Sequence, residues 1–488
     1  MEEGSFFSPN ASETAEEKAV TDRKIILINP FPYYGRGINE ATIYPPLGLA
    51  YLASALRKAG FPDIQIIDAN ILKIENKDLL RRLKAEKPDI VGIHLNVVLG
   101  RSGTVLGRRI RQELDCRICI GGPLVSSNPV QMLEASAADL AVIGEGETAF
   151  VEICQGKPLR DIKGLVYKEG TDIRFTPPRE LVENLDEIPF PAYDLLPPLK
   201  LYKARARKKP IGPIITSRGC PYLCTYCNSS VFGKKFRARS PENVIQEIDL
   251  LVREYGIREL DVLDDNFTLD IKRADRILDL LLERKYRLAI NLQNGVRADR
   301  LNQDLIKKMK RAGVFKVGIG IESGDKDMLS KIRKNLDLDK VTQAIRWFKE
   351  EGIITYGFFI LGFPDETRES VERTIAFARQ CGPTVADFNI LLPFPGTAIY
   401  EELKQKKLLK EESRLFYDSG FYAPKVYHKC LHLTEEELYA YQKKAYRDFT
   451  FRIGKIWEIL LSIRSVNELI WTFQAALPVL AMVLDWIE

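Results

Sequence analysis

Arg218-Gly-Cys-Pro-Tyr-Leu-Cys-Thr-Tyr-Cys-Asn228 sets Cys220, Cys224 and Cys227 in a C-x3-C-x2-C spacing. Thiolates are the protein ligands of iron–sulfur clusters, and a loop this tight can hold three corners of a cubane while leaving the fourth iron without a protein ligand. An iron left open in this way can bind substrate. The alternatives are a structural zinc site or three unrelated thiols. Zinc favours four ligands, commonly as paired C-x2-C units, and no fourth Cys or His lies nearby in the sequence.

The loop directly follows an apolar run at Ile214, and strand-like runs recur after it at Leu260–Leu263, Leu288–Asn291, Val317–Ile321, Thr355–Leu361 and Asp387–Leu391, each followed by a helical segment. Six such units predict an open, partial (β/α)6 barrel with its chemistry at the carboxyl ends of the strands. Upstream, Lys24–Asn29, Ile64–Asp68, Ile90–Ile93, Arg117–Gly121 and Leu140–Gly144 alternate with helical stretches, which predicts a doubly wound, Rossmann-like parallel sheet. Ligands in such sheets sit beyond the carboxyl ends of the strands. The fold class expected is therefore α/β. Its parts are a disordered leader (1–23), a Rossmann-like domain (24–156), a Pro- and charge-rich linker (157–210), the partial barrel (211–402) and a helical C-terminal region (403–488).

At 488 residues the chain is long enough for two or three domains. A net charge of +5 is small for this length and gives no sign of nucleic-acid binding. Eight cysteines are too sparse for a disulfide scaffold and point to the reducing cytoplasm. Residues 1–23 contain no apolar core of a signal peptide.

With the cysteine loop, the barrel segments resemble the radical S-adenosylmethionine (SAM) superfamily, in which an aromatic residue, here Tyr226, usually precedes the last cysteine. The resemblance implies a [4Fe–4S] cluster whose open iron chelates SAM and reduces it to a 5′-deoxyadenosyl radical. It also implies that Asp264, Asp265 and Asn266 meet the SAM amino group, that Asn294 and Arg297 contribute to cofactor binding, and that Glu322 and Ser323 meet ribose and methionine polar atoms. A carboxylate suits ribose because it accepts two hydrogen bonds, and Arg suits a carboxylate because it donates two.

A doubly wound domain ahead of such a barrel resembles the cobalamin-binding radical SAM proteins, over roughly Lys24 to Arg464. Asn29, Gly121, Gly122, Gly144, Glu145 and Gly146 stand in segments like that family's strand-end loops and are implied to bind cobalamin; glycines there let a broad corrin approach the backbone. The family's Asp-x-His-x-x-Gly loop, which ligates cobalt from below, is missing: the histidines are His94, His428 and His432. In the family that condition accompanies methyl transfer. His94 ends a strand and could face the corrin. Cys116 and Cys119 lie three apart on a strand and are expected on opposite faces, buried; Cys430, beside His428 and His432, is a further substrate-side candidate or simply core.

The function implied is a cobalamin-dependent radical SAM methyltransferase acting on unactivated carbon, with one SAM supplying the methyl group and a second the radical. Alternatives are a ring-forming enzyme like the anaerobic porphyrin cyclases, or an iron–sulfur binding protein without turnover. The sequence assigns no catalytic side chain. Implied partners are a small-molecule substrate and an external electron donor such as flavodoxin or ferredoxin. The apolar tail Leu469–Ile487, interrupted by Pro478 and preceded by Arg452, Lys455 and Arg464, fits either a buried helix pair or a helix lying on a membrane surface near a lipophilic substrate.

Overall fold

The computed structural model describes residues 20–32, 43–202, 206–410 and 426–483. The expected leader lies almost wholly outside the described residues, as do part of the loop after Asn29, part of the basic run from Lys200, and Asp485 and Trp486 of the tail.

Short apolar runs bounded by turn residues bury both faces, which suits parallel strands covered by helices. The first sheet contains β1 (Ile25–Asn29), β2 (Ile64–Asp68), β3 (Ile90–His94), β4 (Arg117–Gly121) and β5 (Leu140–Val142) in the order β2-β1-β3-β4-β5, all parallel. Alternate residues feed two cores: Ile25 and Leu27 pack on one side, Ile26 and Ile28 on the other. Cys119 joins the first core and Cys116 the second, as their spacing requires.

The expected linker is partly ordered into the sheet. Residues Leu165–Glu169 (β6) and Asp172–Phe175 (β7) form an antiparallel hairpin that pairs through β6 with β5. It covers what would otherwise be an open sheet edge, and its alternating run is too short to stand out among the surrounding prolines and charges. Beyond it the chain wraps the junction: Ala192 N–H donates to Ala50 O at 3.0 Å, and Tyr193 Oη donates to Pro213 O at 2.9 Å.

The second sheet is six-stranded and parallel: β8 (Ile211–Ile214), β11 (Glu259–Val262), β12 (Ala289–Leu292), β13 (Val314–Glu322), β14 (Ile354–Leu361) and β15 (Val385–Ile390) in sequence order from one edge. Between β8 and β11 come β9 (Ser217–Arg218) and β10 (Arg237–Ala238), paired antiparallel with Arg218 opposite Arg237. This two-residue ribbon is the neck of a loop, 219–236, that carries all three clustered cysteines.

At the far edge the helix Glu435–Thr450 packs on β15. Gln442 Nε2 donates to Phe388 O at 2.8 Å, and Phe388 N–H donates to Tyr446 Oη at 3.2 Å, so side chains serve the free edge of β15. Two further helices follow, Ile453–Ser462 and Val466–Val483.

Gly219 stands at the neck with φ +83°, and a Cβ there would lie 2.3 Å from Lys235 O. Gly219→Ala is therefore expected to destabilise the fold by about 2 kcal/mol or more and to leave the loop under-loaded with iron. Denaturant titration and iron counting check this; wild-type values for both would contradict it.

Candidate active site at the domain junction

The carboxyl ends of the two sheets face one cavity of about 830 Å³. The first domain contributes His94 from β3, Gly121 at the end of β4 with Gly122 after it, and Gly144-Glu-Gly-Glu147 after β5. The second contributes Cys220, Cys224, Cys227, Asp265, Asn266, Asn294, Arg297 and Glu322. The cavity continues as an apolar slot between strand residues Gly92, Cys119 and Val142 and helix residues Leu49, Leu52 and Phe150.

The cysteine loop is held from several sides. Thr225 N–H donates to Ile332 O at 3.0 Å, Ile399 N–H donates to Thr225 O at 3.0 Å, and Asn228 Nδ2 donates to Pro395 O at 3.0 Å. Below the loop, Asp264 accepts from Thr216 N–H at 2.6 Å and from the hydroxyls of Thr216 and Ser217 at 2.5 and 2.6 Å. Its carboxylate thus braces the strand entering the loop. Asp265, its neighbour, is exposed to the cavity.

Glu322 ends β13 with a left-handed backbone, φ +68°, in the region non-glycine residues rarely enter. Its Oε1 accepts from Lys334 Nζ at 3.1 Å, and the same ammonium lies 3.2 Å from Tyr226 Oη. Burial opposes the charge on Lys334, but Glu322, with Cys224, more than restores it. Lys334 was not singled out from the sequence, because a partly buried lysine in the turn after the helix Lys326–Lys331 carries no local signature. Arg297 reaches Asp299 and Asn335 O at 2.7 Å and lies 4.2 Å over the Tyr222 ring. Ser323 is buried against Thr374 at 3.0 Å rather than on the cavity wall.

On the first domain, Gly122 has φ +115°, and a Cβ there would lie 2.6 Å from Leu95 O and 2.9 Å from His94 Nδ1. A side chain at this strand end would displace the imidazole or the backbone. Burial holds the His94 ring nitrogen down at about 4. Asn29 instead donates through Nδ2 to Asp68 Oδ1 at 2.8 Å, in a buried polar group completed by Tyr202 Oη on Asp68 Oδ2 at 2.9 Å. Glu145 turns its carboxylate to Arg218 and Arg237. Cys430 lies off the cavity, 3.4 Å from Gly362 O and 3.7 Å from His428 Nε2.

The donor set fits the groups the motifs call for. Three free thiols open from one loop into the cavity, as three corners of a cubane need. Gly121, Gly122, Gly144 and Gly146 form a side-chain-free rim beside an apolar slot, which suits a flat macrocycle with a large appended group.

Two family models match the chain, that of the radical SAM superfamily over residues 214–378 and that of the B12 binding domain over residues 36–154. The chain is 39% identical over 439 residues to uncharacterized methyltransferase PH0819 of Pyrococcus horikoshii, covering 88% of this chain and 93% of that one. The protein belongs to the radical SAM enzymes that carry a B12-binding domain. That membership carries with it a [4Fe–4S] cluster, SAM and cobalamin. It is also 27% identical over 448 residues to the anaerobic magnesium-protoporphyrin IX monomethyl ester cyclase of Cereibacter sphaeroides, covering 87% and 70% of the two chains. Its fold is that of the radical SAM methyltransferase TsrM of Kitasatospora setae, solved with tryptophan substrate and aza-SAM, at TM-score 0.68 and 20% identity over 91% and 90% of the chains.

Replacing Cys220, Cys224 or Cys227 singly by Ala should abolish the cluster's visible absorbance and all SAM cleavage in anaerobically reconstituted protein. A full cubane in the triple variant would contradict this assignment.

Proposed function

We propose that the protein moves a methyl group from SAM, by way of cobalamin, to an unactivated carbon of a lipophilic small molecule. The observation that carries this reading is the single cavity walled by cysteines on one side and by the glycine rim of the first sheet on the other. When bound, the cluster would supply one electron, one SAM the methyl group and a second SAM the adenosyl radical, and cobalamin would carry the methyl group between them. The chain's part is to position them. Asp265, Asn266 and Asn294 offer hydrogen-bond partners to SAM beside the cysteines, while Arg297 and Lys334 supply positive charge opposite its carboxylate. The electron comes from an external donor such as flavodoxin or ferredoxin, in the reducing cytoplasm.

Ring formation is the second reading, favoured by the likeness to the porphyrin cyclase. Deuterated-methyl SAM separates the two. Methyl transfer yields product bearing the label together with 5′-deoxyadenosine, whereas 5′-deoxyadenosine with an unlabelled, dehydrogenated product would establish ring formation.

The lipophilic substrate rests on the C-terminal helices. No helix among the described residues is long and apolar enough to cross a membrane. The expected buried pair is nevertheless only half covered. Lys455, counted among the basic residues before the tail, is buried on Pro383 O at 2.7 Å, and Trp471 lies over Lys316. The opposite faces leave Ile453, Trp457, Leu461, Ile470, Phe473 and Leu477 exposed at helical spacing, beside exposed Arg452 and Arg464. An apolar stripe of this extent flanked by arginines suits the surface of an anionic bilayer. The full chain should float with vesicles containing phosphatidylglycerol, and Trp457→Asp/Phe473→Asp should not. Concentration-dependent dimerisation lost in the same variant, without flotation, would overturn the membrane reading.

On this account no protein imidazole would ligate bound cob(II)alamin, so any nitrogen superhyperfine splitting in its electron paramagnetic resonance spectrum should survive His94→Phe. Splitting that disappears in His94→Phe would place His94 on cobalt and contradict it.

A further inference from the structure

One buried carboxylate joins the two halves of the site. Glu145 sits in the loop after β5, between the rim glycines Gly144 and Gly146, and is 8% exposed. Its Oε1 accepts from Arg218 Nη1 at 3.0 Å and from Arg237 Nη1 at 2.9 Å, and its Oε2 accepts from Arg237 Nη1 at 2.9 Å and from Val182 N–H at 3.1 Å. Arg218 and Arg237 are the residues paired across β9 and β10. A first-domain side chain therefore grips both strands at the neck of the cysteine loop, two residues from Cys220.

The grip is reinforced. Glu147 Oε1 accepts from Arg218 Nη2 at 2.7 Å, and the Arg218 guanidinium lies 5.1 Å from the ring centres of both Tyr51 and Phe232. Arg237 also donates through Nη2 to Phe232 O at 2.9 Å, inside the cysteine loop. Arg218 and Arg237 are 3% and 4% exposed. Charges so desolvated interact strongly and tolerate little displacement of a partner.

We infer that Glu145 is a positioning residue that couples cobalamin binding in the first domain to the placement of the cluster in the second. A corrin seated on the rim fixes the Gly144–Glu147 loop. The carboxylates of that loop then fix Arg218 and Arg237, and with them the neck of the cysteine loop. Neither carboxylate touches the reacting atoms in this role.

Energetic coupling between two sites is reciprocal, which makes it measurable without turnover. Hydroxocobalamin affinity is measured on the full chain with and without its reconstituted cluster. The wild type should bind corrin on the order of 10-fold more tightly when the cluster is present, within the usual range of coupling between sites. In Glu145→Gln, which keeps the side chain's size but not its charge, that ratio should fall to about one. A Glu145 that merely stabilised the fold would lower affinity in both states and leave the ratio unchanged. A ratio of one in the wild type, or an unaltered ratio in Glu145→Gln, overturns the inference. Should Glu145→Gln fail to fold, Glu147→Gln removes only the second arm on Arg218 and should reduce the ratio; an unaltered ratio there is equally decisive against it. The inference rests on occupancy by both cofactors and not on methyl transfer. Corrin is counted by absorbance and the cluster by iron content, so a failure of the proposed reaction leaves the measurement interpretable.

Discussion

The site depends on two sheets presenting the carboxyl ends of their parallel strands to each other across one cleft, with a buried ion-pair group holding that arrangement in register. Strand ends offer backbone groups that the ladder has left unpaired, and glycine allows close approach, so each sheet makes a binding rim from short apolar sequence. Neither rim is sufficient alone. The cysteine loop hangs from a two-residue ribbon; the second domain holds its body through Thr225 and Asn228, and the first domain supplies the carboxylates that fix its neck. Burying those charges is costly, and removing one partner leaves another uncompensated. The junction is therefore intolerant of partial change.

The two domains also share a hydrophobic core. Leu27, Leu56 and Phe150 of the first belong to the same buried cluster as Tyr193, Ile214, Ile248 and Phe359. Tyr193 from the wrapping segment bonds both Pro213 O and Glu247 of the second domain. A continuous apolar interface of this kind resists the relative motion expected of loosely joined domains, which keeps the cleft at a fixed width.

Much of this was legible in the sequence because the relevant signals are local. The C-x3-C-x2-C spacing, the alternation of apolar runs with helical stretches and the glycines at strand ends are each readable within a dozen residues. Orientation and long-range pairing were not. Nothing local tells that Asp264 faces the strand entering the loop while Asp265 faces the cavity, or that Lys334 returns to Glu322 and Tyr226. The direction of Glu145 depends on Arg237, 92 residues away. The hairpin at Leu165–Phe175 hid among prolines, and the apolar tail was readable as hydrophobic but not as one-sided, because Trp457 belongs to the helix before it.

Corrin and cluster would occupy one shared cleft between the two sheets. Electron paramagnetic resonance of protein loaded with cob(II)alamin and the reduced cluster tests it most directly. Two paramagnets facing each other across a cavity of this size should be magnetically coupled, with the cobalt signal relaxing faster than in protein whose cysteines are replaced by Ala. A cobalt signal indifferent to the presence of the reduced cluster would contradict the account.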